Sequence, residues 1–203
     1  MTDLDKALRH FKQADPILYQ AALKHRHVLR PHTRKNRDQL FASLCESIVS
    51  QQLSVKASDT IWGRLKEACG GKVTPESISR ISLPRMRACG LSAAKAKTLK
   101  ELAKAIRNGL DLPALRRATP EEATERLTVV WGIGPWTAEM FLMFGLGHPD
   151  IFSPGDLGLV RAMEMLYGLK RNPPRAKLER IAGCWSPHRS VACRILWRTR
   201  DGA

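Results

Sequence analysis

The sequence predicts an all-α protein, and three observations carry that expectation. Apolar residues recur at helical spacing in one segment after another. The segment ends carry helix punctuation: serine, threonine or aspartate before them, proline at first positions, glycine after them. No alternating apolar–polar run exceeds a few residues, so a half-buried strand has no candidate. A chain of 203 residues can bury a substantial core, as one domain or as two small lobes.

Residues 4–11 and 15–25 read as two short helices, with Asp15-Pro16 as N-cap and first position. The next stretch, His25 to Arg37 (HRHVLRPHTRKNR), is basic and poor in apolar residues. It reads equally well as a solvated connection and as a contact for a polyanion. From Asp38 to Ser50, Phe41, Leu44, Ile48 and Val49 form a helical stripe that breaks at Ser50-Gln51-Gln52-Leu53-Ser54. Ser54 caps a second helix with Ala57, Ile61, Leu65 and Ala68 on one face, and Gly70-Gly71 ends it. Short helical pieces follow over 75–81 and 84–89. Ser92 then caps a longer helix to Asn108, with Leu99, Leu102, Ala103 and Ile106 inside. Lys95, Lys97, Lys100, Lys104 and Arg107 on its other faces read as a solvated surface. The Gly90-Leu91-Ser92 turn before it is a candidate anion contact. Pro120 with Glu121 and Glu122 opens the next helix, acid first as the helix dipole favours. Val160, Met163 and Leu166 mark a helix beginning near Asp156 and stopped by Gly168. A helix over 175–183 and a last one from Pro187, with Val191, Ile195 and Leu196 inside, complete the chain. Trp62, Trp131 and Trp185 read mainly as core.

Hydrophobic content of 43% and charged content of 26% suit a soluble globular protein. The charge balance is unusual: 34 basic residues against 19 acidic give a net charge of +15. Such an excess implies a polyanionic partner, nucleic acid by default. Five cysteines, Cys45, Cys69, Cys89, Cys184 and Cys193, contain no CxxC. They fit a reduced, intracellular setting with buried or inert thiols. No His, Cys and Asp grouping has zinc spacing. The N-terminus, MTDLDKALRH, is polar, and no apolar run reaches the roughly 18 residues of a membrane span. A cytoplasmic protein, nucleoid-associated if bacterial, is the expectation.

Leu127 to Met163, LTVVWGIGPWTAEMFLMFGLGHPDIFSPGDLGLVRAM, organises the rest. Ala123, Leu127 and Val130 form the stripe of a helix that enters the hairpin Gly132-Ile133-Gly134-Pro135. The glycines allow φ > 0 and close backbone approach. Pro135 suits the first position of the following helix, Trp136 to Phe144, which is apolar nearly all round and so predicted to be buried. Outward N–H groups at a helix N-terminus make an anion site, and a phosphate is its natural occupant. An ordinary helical corner fits GxGP equally well.

The wider context separates those readings. GIGPWTAEMF followed by IFSPGDLGLVRA resembles the helix-hairpin-helix DNA glycosylase superfamily, and most closely its 3-methyladenine DNA glycosylase II (AlkA-type) branch. SIVSQQLSVKASDTIWGRL (47–65), MRACGLSAAKAKTLKELA (86–103) and RIAGCWSPHRSVACRILW (180–197) agree with it. The resemblance spans roughly Arg37 to Arg198.

It implies two helical lobes around a cleft: helices 1–35 pack with a C-terminal lobe, 146–203, and a helical-bundle lobe, 36–145, carries the helix-hairpin-helix over about 120–145. Relatives often carry a further N-terminal β domain; this chain starts almost at the helical core, so that domain is expected to be lacking. Asp156 matches the catalytic aspartate, which stabilises oxocarbenium character at C1′ as the glycosidic bond breaks; from the residue type alone, a helix N-cap fits as well. Gly155 stands where relatives often have a second acid, which suggests a more open local backbone. Trp136 and Trp197 match aromatic positions of a base pocket, and Met140 stands where relatives often have tyrosine. Indole faces suit a flipped, cationic base such as 3-methyladenine or 7-methylguanine.

DNA contacts are implied for Gln51, Gln52 and Ser54 in the first turn, with Gln52 filling the gap left by the extruded base. At the hairpin they are implied for Gly132, Ile133, Gly134 and Thr137, with the N–H groups of Gly132, Gly134 and Trp136 on a phosphate. A monovalent cation held by the carbonyls of Gly132 and Gly134 is the one ion implied, and no catalytic metal or other cofactor is. Bifunctional relatives, such as endonuclease III, have lysine where this chain has Trp136, and that lysine forms a Schiff base. The resemblance therefore implies a monofunctional glycosylase, a monomer acting on duplex DNA with alkylated bases. A non-catalytic DNA-binding module and a glycosylase/lyase are the rivals.

Overall fold

A computed structural model describes residues 2–29 and 32–202, apart from the side chains of Val28 and Asp201. Among these residues there are twelve α-helices and no strand. The chain divides into two compact units: Met1–Thr33 with His148–Ala203, and Arg34–Gly147.

In the first unit, α1 (Asp3–Ala14) opens on a capping box in which Thr2 and Asp5 satisfy each other's backbone N–H. It stops at Asp15, whose carboxylate caps α2 (Pro16–His25) through the Leu18 N–H at 2.9 Å. Asp15 also accepts the Tyr167 hydroxyl at 2.6 Å and the Trp185 indole N–H at 2.7 Å. An aspartate only 6% exposed is tolerable because it has these three donors. α10 (Leu157–Tyr167) and α12 (Arg189–Asp201) pack together, and α2 packs on α12. The inner face of α10 is Leu159, Ala162 and Met163. The predicted stripe was Val160, Met163 and Leu166; the buried face is rotated one position, while Val160 and Leu166 lie at its margin. Gly168, in the left-handed region at φ 59°, ends α10, and α11 (Arg175–Gly183) follows. Arg30 and Pro31 of the basic connection lie outside the described residues.

In the second unit α3 (Arg37–Ser50) is the central helix, with Phe41, Leu44, Ile48 and Val49 buried as predicted. α4 (Val55–Ala68) starts on Ser54, whose hydroxyl accepts the Ala57 N–H, but it buries Ser58, Trp62 and Leu65. Of the predicted stripe only Leu65 is fully inside, because large Trp62 turns its own face inward. After α5 (Pro75–Arg80) and α6 (Leu83–Ala88) comes α7 (Ala93–Arg107), which packs on α3, α5 and α6.

The α7 lysines are not all surface decoration. Lys95 Nζ donates to the carbonyls of Val49 and Gln51 at 2.8 and 2.6 Å. Lys100 Nζ donates to those of Ser79 and Ile81. Each ammonium satisfies carbonyls at a helix C-terminus, where the dipole favours a cation. Lys35, in the basic connection, does the same for Phe144 O at 2.6 Å, and burial lowers its pKa.

α8 (Pro120–Thr128) leads through the hairpin into α9 (Pro135–Met140), which continues as a π-helical turn, Phe141–Leu146. A π turn opens the helix by one residue per hydrogen bond. Gly145 takes the Phe141 ring against its backbone, where a Cβ would collide. The helix is therefore not buried all round as predicted: Phe144 is exposed and Trp136 half-buried. Among the described residues no helix is long and apolar enough to cross a membrane.

Candidate active site and nucleic-acid contacts

The predicted site residues fall into two constellations, one in each unit. In the first, Asp156 is the N-cap of α10. Its Oδ1 accepts the Leu159 N–H at 2.8 Å and the Trp197 indole N–H at 3.0 Å. N-capping and catalysis, alternatives for an isolated aspartate, are compatible here, since the cap is what fixes the carboxylate. Trp197, half-buried on α12, thus does more than present an aromatic face: its N–H orients the acid. Gly158 lies beneath this group. A Cβ there would be 3.0 Å from Asp156 Oδ1 and 3.1 Å from Trp197 Nε1, and would collide with the Arg200 guanidinium. At Gly155, by contrast, a Cβ would meet nothing within 4 Å. The site could accommodate a side chain at 155, so the missing second acid is a chemical difference and not a steric one.

The segment delivering Asp156 is fastened to the start of α12. Ser190 Oγ donates to His148 O at 2.6 Å and accepts from Ile151 N at 3.0 Å. Asp150 takes Arg189 in a two-pronged ion pair, Nε at 2.8 Å and Nη2 at 2.9 Å, and accepts the Ser186 hydroxyl. Burial alone would raise the Asp150 pKa. The Arg189 and Ser186 hydrogen bonds and the Arg189 charge outweigh it and hold the carboxyl below its ordinary range.

The second constellation surrounds the hairpin. Gly132 has φ 83°, a conformation natural to glycine, and its α-carbon sits against Thr98, whose hydroxyl a Cβ would strike. Ile133 is buried beneath the turn and donates its N–H to Val130 O at 3.0 Å. Among the described residues the Gly132 and Gly134 N–H groups meet no acceptor within the hairpin, and both lie at the entrance to α9. That is the arrangement an anion needs. The Gly134 carbonyl accepts the Ala138 N–H at 3.1 Å and the Gly132 carbonyl accepts from Gln51 at 3.4 Å. Each keeps a second lone pair that suits a weakly held monovalent cation. Trp136 lies on the first turn of α9, half-buried; Met140, one turn on, is buried.

Two placements differ from the sequence reading. Trp131 is not core: it is 47% exposed, with Lys97 Nζ 4.1 Å from its ring centroid. Ile133 takes the inward side of this turn, and the neighbouring Lys97 cation covers the outward indole face. The Gln51-Gln52 pair divides. Gln51 turns inward, donating its amide to Thr137 Oγ1 at 2.8 Å and to Gly132 O. Gln52 is exposed, in the left-handed region at φ 54°. A non-glycine residue held there marks a turn fixed by its surroundings, common at functional sites. The brace from Lys95, through Gln51, to the hairpin escaped sequence reading, because nothing local says which carbonyls a lysine will reach. Among the described residues no group of three or more His, Cys, Asp and Glu side chains is placed to hold a metal.

Comparison with known proteins identifies the family. The chain is 35% identical, over 84% of its length and 76% of the relative's, to DNA-3-methyladenine glycosylase 1 of Schizosaccharomyces pombe. The structure of the 3-methyladenine DNA glycosylase of that yeast in complex with abasic DNA superposes with a TM-score of 0.82 at 32% identity, covering 95% of each chain. That of a Bacillus halodurans DNA-3-methyladenine glycosidase superposes at 0.77 with 36% identity, covering 94% of this chain and 87% of the other. The family model described as HhH-GPD superfamily base excision DNA repair protein matches residues 45–187, and the chain belongs to that superfamily.

Proposed function

We propose that the chain is a monofunctional DNA glycosylase that flips alkylated bases of the 3-methyladenine and 7-methylguanine type out of duplex DNA and releases them by hydrolysis. The observation that carries this reading is Asp156, a carboxylate held by two N–H donors at a helix start, at the motif position that resembles the superfamily's catalytic aspartate. The names of the relatives, 3-methyladenine glycosylases, support the substrate class.

In the reaction the C1′–N bond breaks and its electron pair leaves with the base. A base made cationic by alkylation departs neutral, so no general acid is needed. Positive charge grows on the sugar, and the Asp156 carboxylate stabilises it electrostatically. Water then adds its oxygen to C1′ and releases a proton. Trp197 fixes Asp156, and the indole faces of Trp136 and Trp197, with Met140, shape recognition of the base. The hairpin N–H groups of Gly132 and Gly134 engage a backbone phosphate, with Ile133 and Thr137 supporting the turn. The carbonyls of Gly132 and Gly134 are the oxygens that would hold a monovalent cation beside that phosphate; no step depends on it. Gln52, with Ser54 fixing the start of α4, fills the space the base vacates. Tryptophan at 136 cannot form a Schiff base, which favours hydrolysis over strand cleavage.

The test is single-turnover base release from matched duplexes, with borohydride added in parallel. Faster release of 3-methyladenine and 7-methylguanine than of neutral hypoxanthine or ethenoadenine, with no trapped protein–DNA adduct, is the expected outcome. A cation–π advantage of roughly 0.5–2 kcal/mol adds to the leaving-group difference. Equal release of neutral lesions would overturn the substrate reading, and abundant trapping the monofunctional one.

A further inference from the structure

Four side chains, Lys95, Gln51, Thr137 and Thr98, link the exposed turn at Gln52 to the phosphate-binding hairpin, all within one compact unit. Lys95, at the start of α7, donates to the carbonyls of Val49 and Gln51, two of the three residues before Gln52. Gln51 then spends both amide N–H groups on the hairpin side, one on Thr137 Oγ1 and one on Gly132 O. Thr137 is almost fully buried, so its hydroxyl is a fixed anchor. One turn along α7 from Lys95, Thr98 fills the space against Gly132. Both ends of the link therefore rest on α7. Gln52 sits between these restraints in the left-handed region, which is uncommon for a non-glycine residue. Burial lowers the Lys95 pKa, and the two carbonyls that accept from Nζ are what hold the ammonium in place.

We propose that Gln51 and Lys95 are positioning residues that lock the Gln52 turn to the hairpin, so that seating a phosphate on the hairpin and driving Gln52 into the duplex are one rigid movement. This rests on Gln52 being the residue that enters the duplex. Gln51 then acts through Gln52 and not through a DNA contact of its own, since its donors are turned inward. The consequence is a separation of effects. Loss of Gln51 leaves phosphate capture intact and removes the stiffness behind the wedge.

The probe is a duplex carrying a tetrahydrofuran abasic-site analogue beside 2-aminopurine, whose fluorescence rises when the stack is opened. Kd for an undamaged duplex is measured alongside it. Gln52→Ala should abolish most of the fluorescence rise. Gln51→Ala should reduce it about five- to tenfold, the worth of a hydrogen bond or two, with undamaged-duplex Kd within about twofold of wild type. The double variant should be no worse than Gln52→Ala, the non-additivity expected of residues acting as a unit. Thr137→Val and Lys95→Met, both checked for folding by thermal melting, should show the Gln51→Ala pattern in weaker form. Full fluorescence in Gln51→Ala, losses that multiply in the double variant, or a Kd that weakens as much as the fluorescence would each overturn the proposal. Full fluorescence in Gln52→Ala would instead remove Gln52 as the wedge, and the proposal with it.

Discussion

At the scale of the residue, the candidate site depends on what each polar atom is already doing. Asp156 Oδ1 has a backbone donor from its own helix and an indole donor from α12. The backbone bond belongs to the cap and survives most substitutions. The indole bond can be removed alone. Trp197→Phe keeps an aromatic face but deletes the N–H. It should slow single-turnover excision by about tenfold, the worth of a hydrogen bond to a charged group, and leave Kd for undamaged duplex unchanged. Wild-type rates in this variant would leave the indole only its stacking role. The sequence contained the two residues but not the bond. Their separation along the chain, 41 positions, carries no periodic signal.

At the scale of the element, the segment 148–156 is held by side chains of α12, with the Asp150–Arg189 pair at its centre. Because Asp150 has a depressed folded pKa, its contribution is present above the unfolded value, about 3.9, and is lost as pH falls through the folded value. Urea unfolding should therefore find Asp150→Asn less stable than wild type at about pH 7, with the difference shrinking below about pH 4. A pH-independent difference would mean that shape, not charge, holds the segment. What the sequence disclosed at this scale was local. Ser92, Ser54 and Asp15 cap the helices that their positions predicted, and Thr119 caps the helix that Pro120 was predicted to open. The stripe of α3 was legible, and that of α7 except for half-buried Ile106, because their large apolar residues have only one face to share. Residues fixed by distant partners were not: Lys95 and Lys100 on remote carbonyls, Asp15 under Tyr167 and Trp185, and Trp62 redirecting the face of α4. The π turn also escaped, since FLMFGL is as apolar as any buried helix and its extra residue per hydrogen bond leaves no pattern.

At the scale of the whole molecule the dominant quantity is charge. A net +15 on 203 residues exceeds what the internal cation uses account for, and basic residues remain along exposed surfaces. Binding to undamaged duplex should weaken linearly in log–log form as salt rises, with a slope of about −0.9 for each phosphate engaged. A flat response would show that phosphate contacts are not the main term. Affinity of this kind finds DNA but does not cut the glycosidic bond; that task is assigned to Asp156. The most direct measurement is therefore single-turnover release of 7-methylguanine by wild type and by Asp156→Asn, with Kd for the same duplex. Asparagine keeps the cap oxygen and the side-chain size. The account predicts on the order of a hundredfold or greater loss of rate, several kcal/mol in the transition state, with Kd nearly unchanged. Release by the asparagine variant at close to the wild-type rate would contradict it.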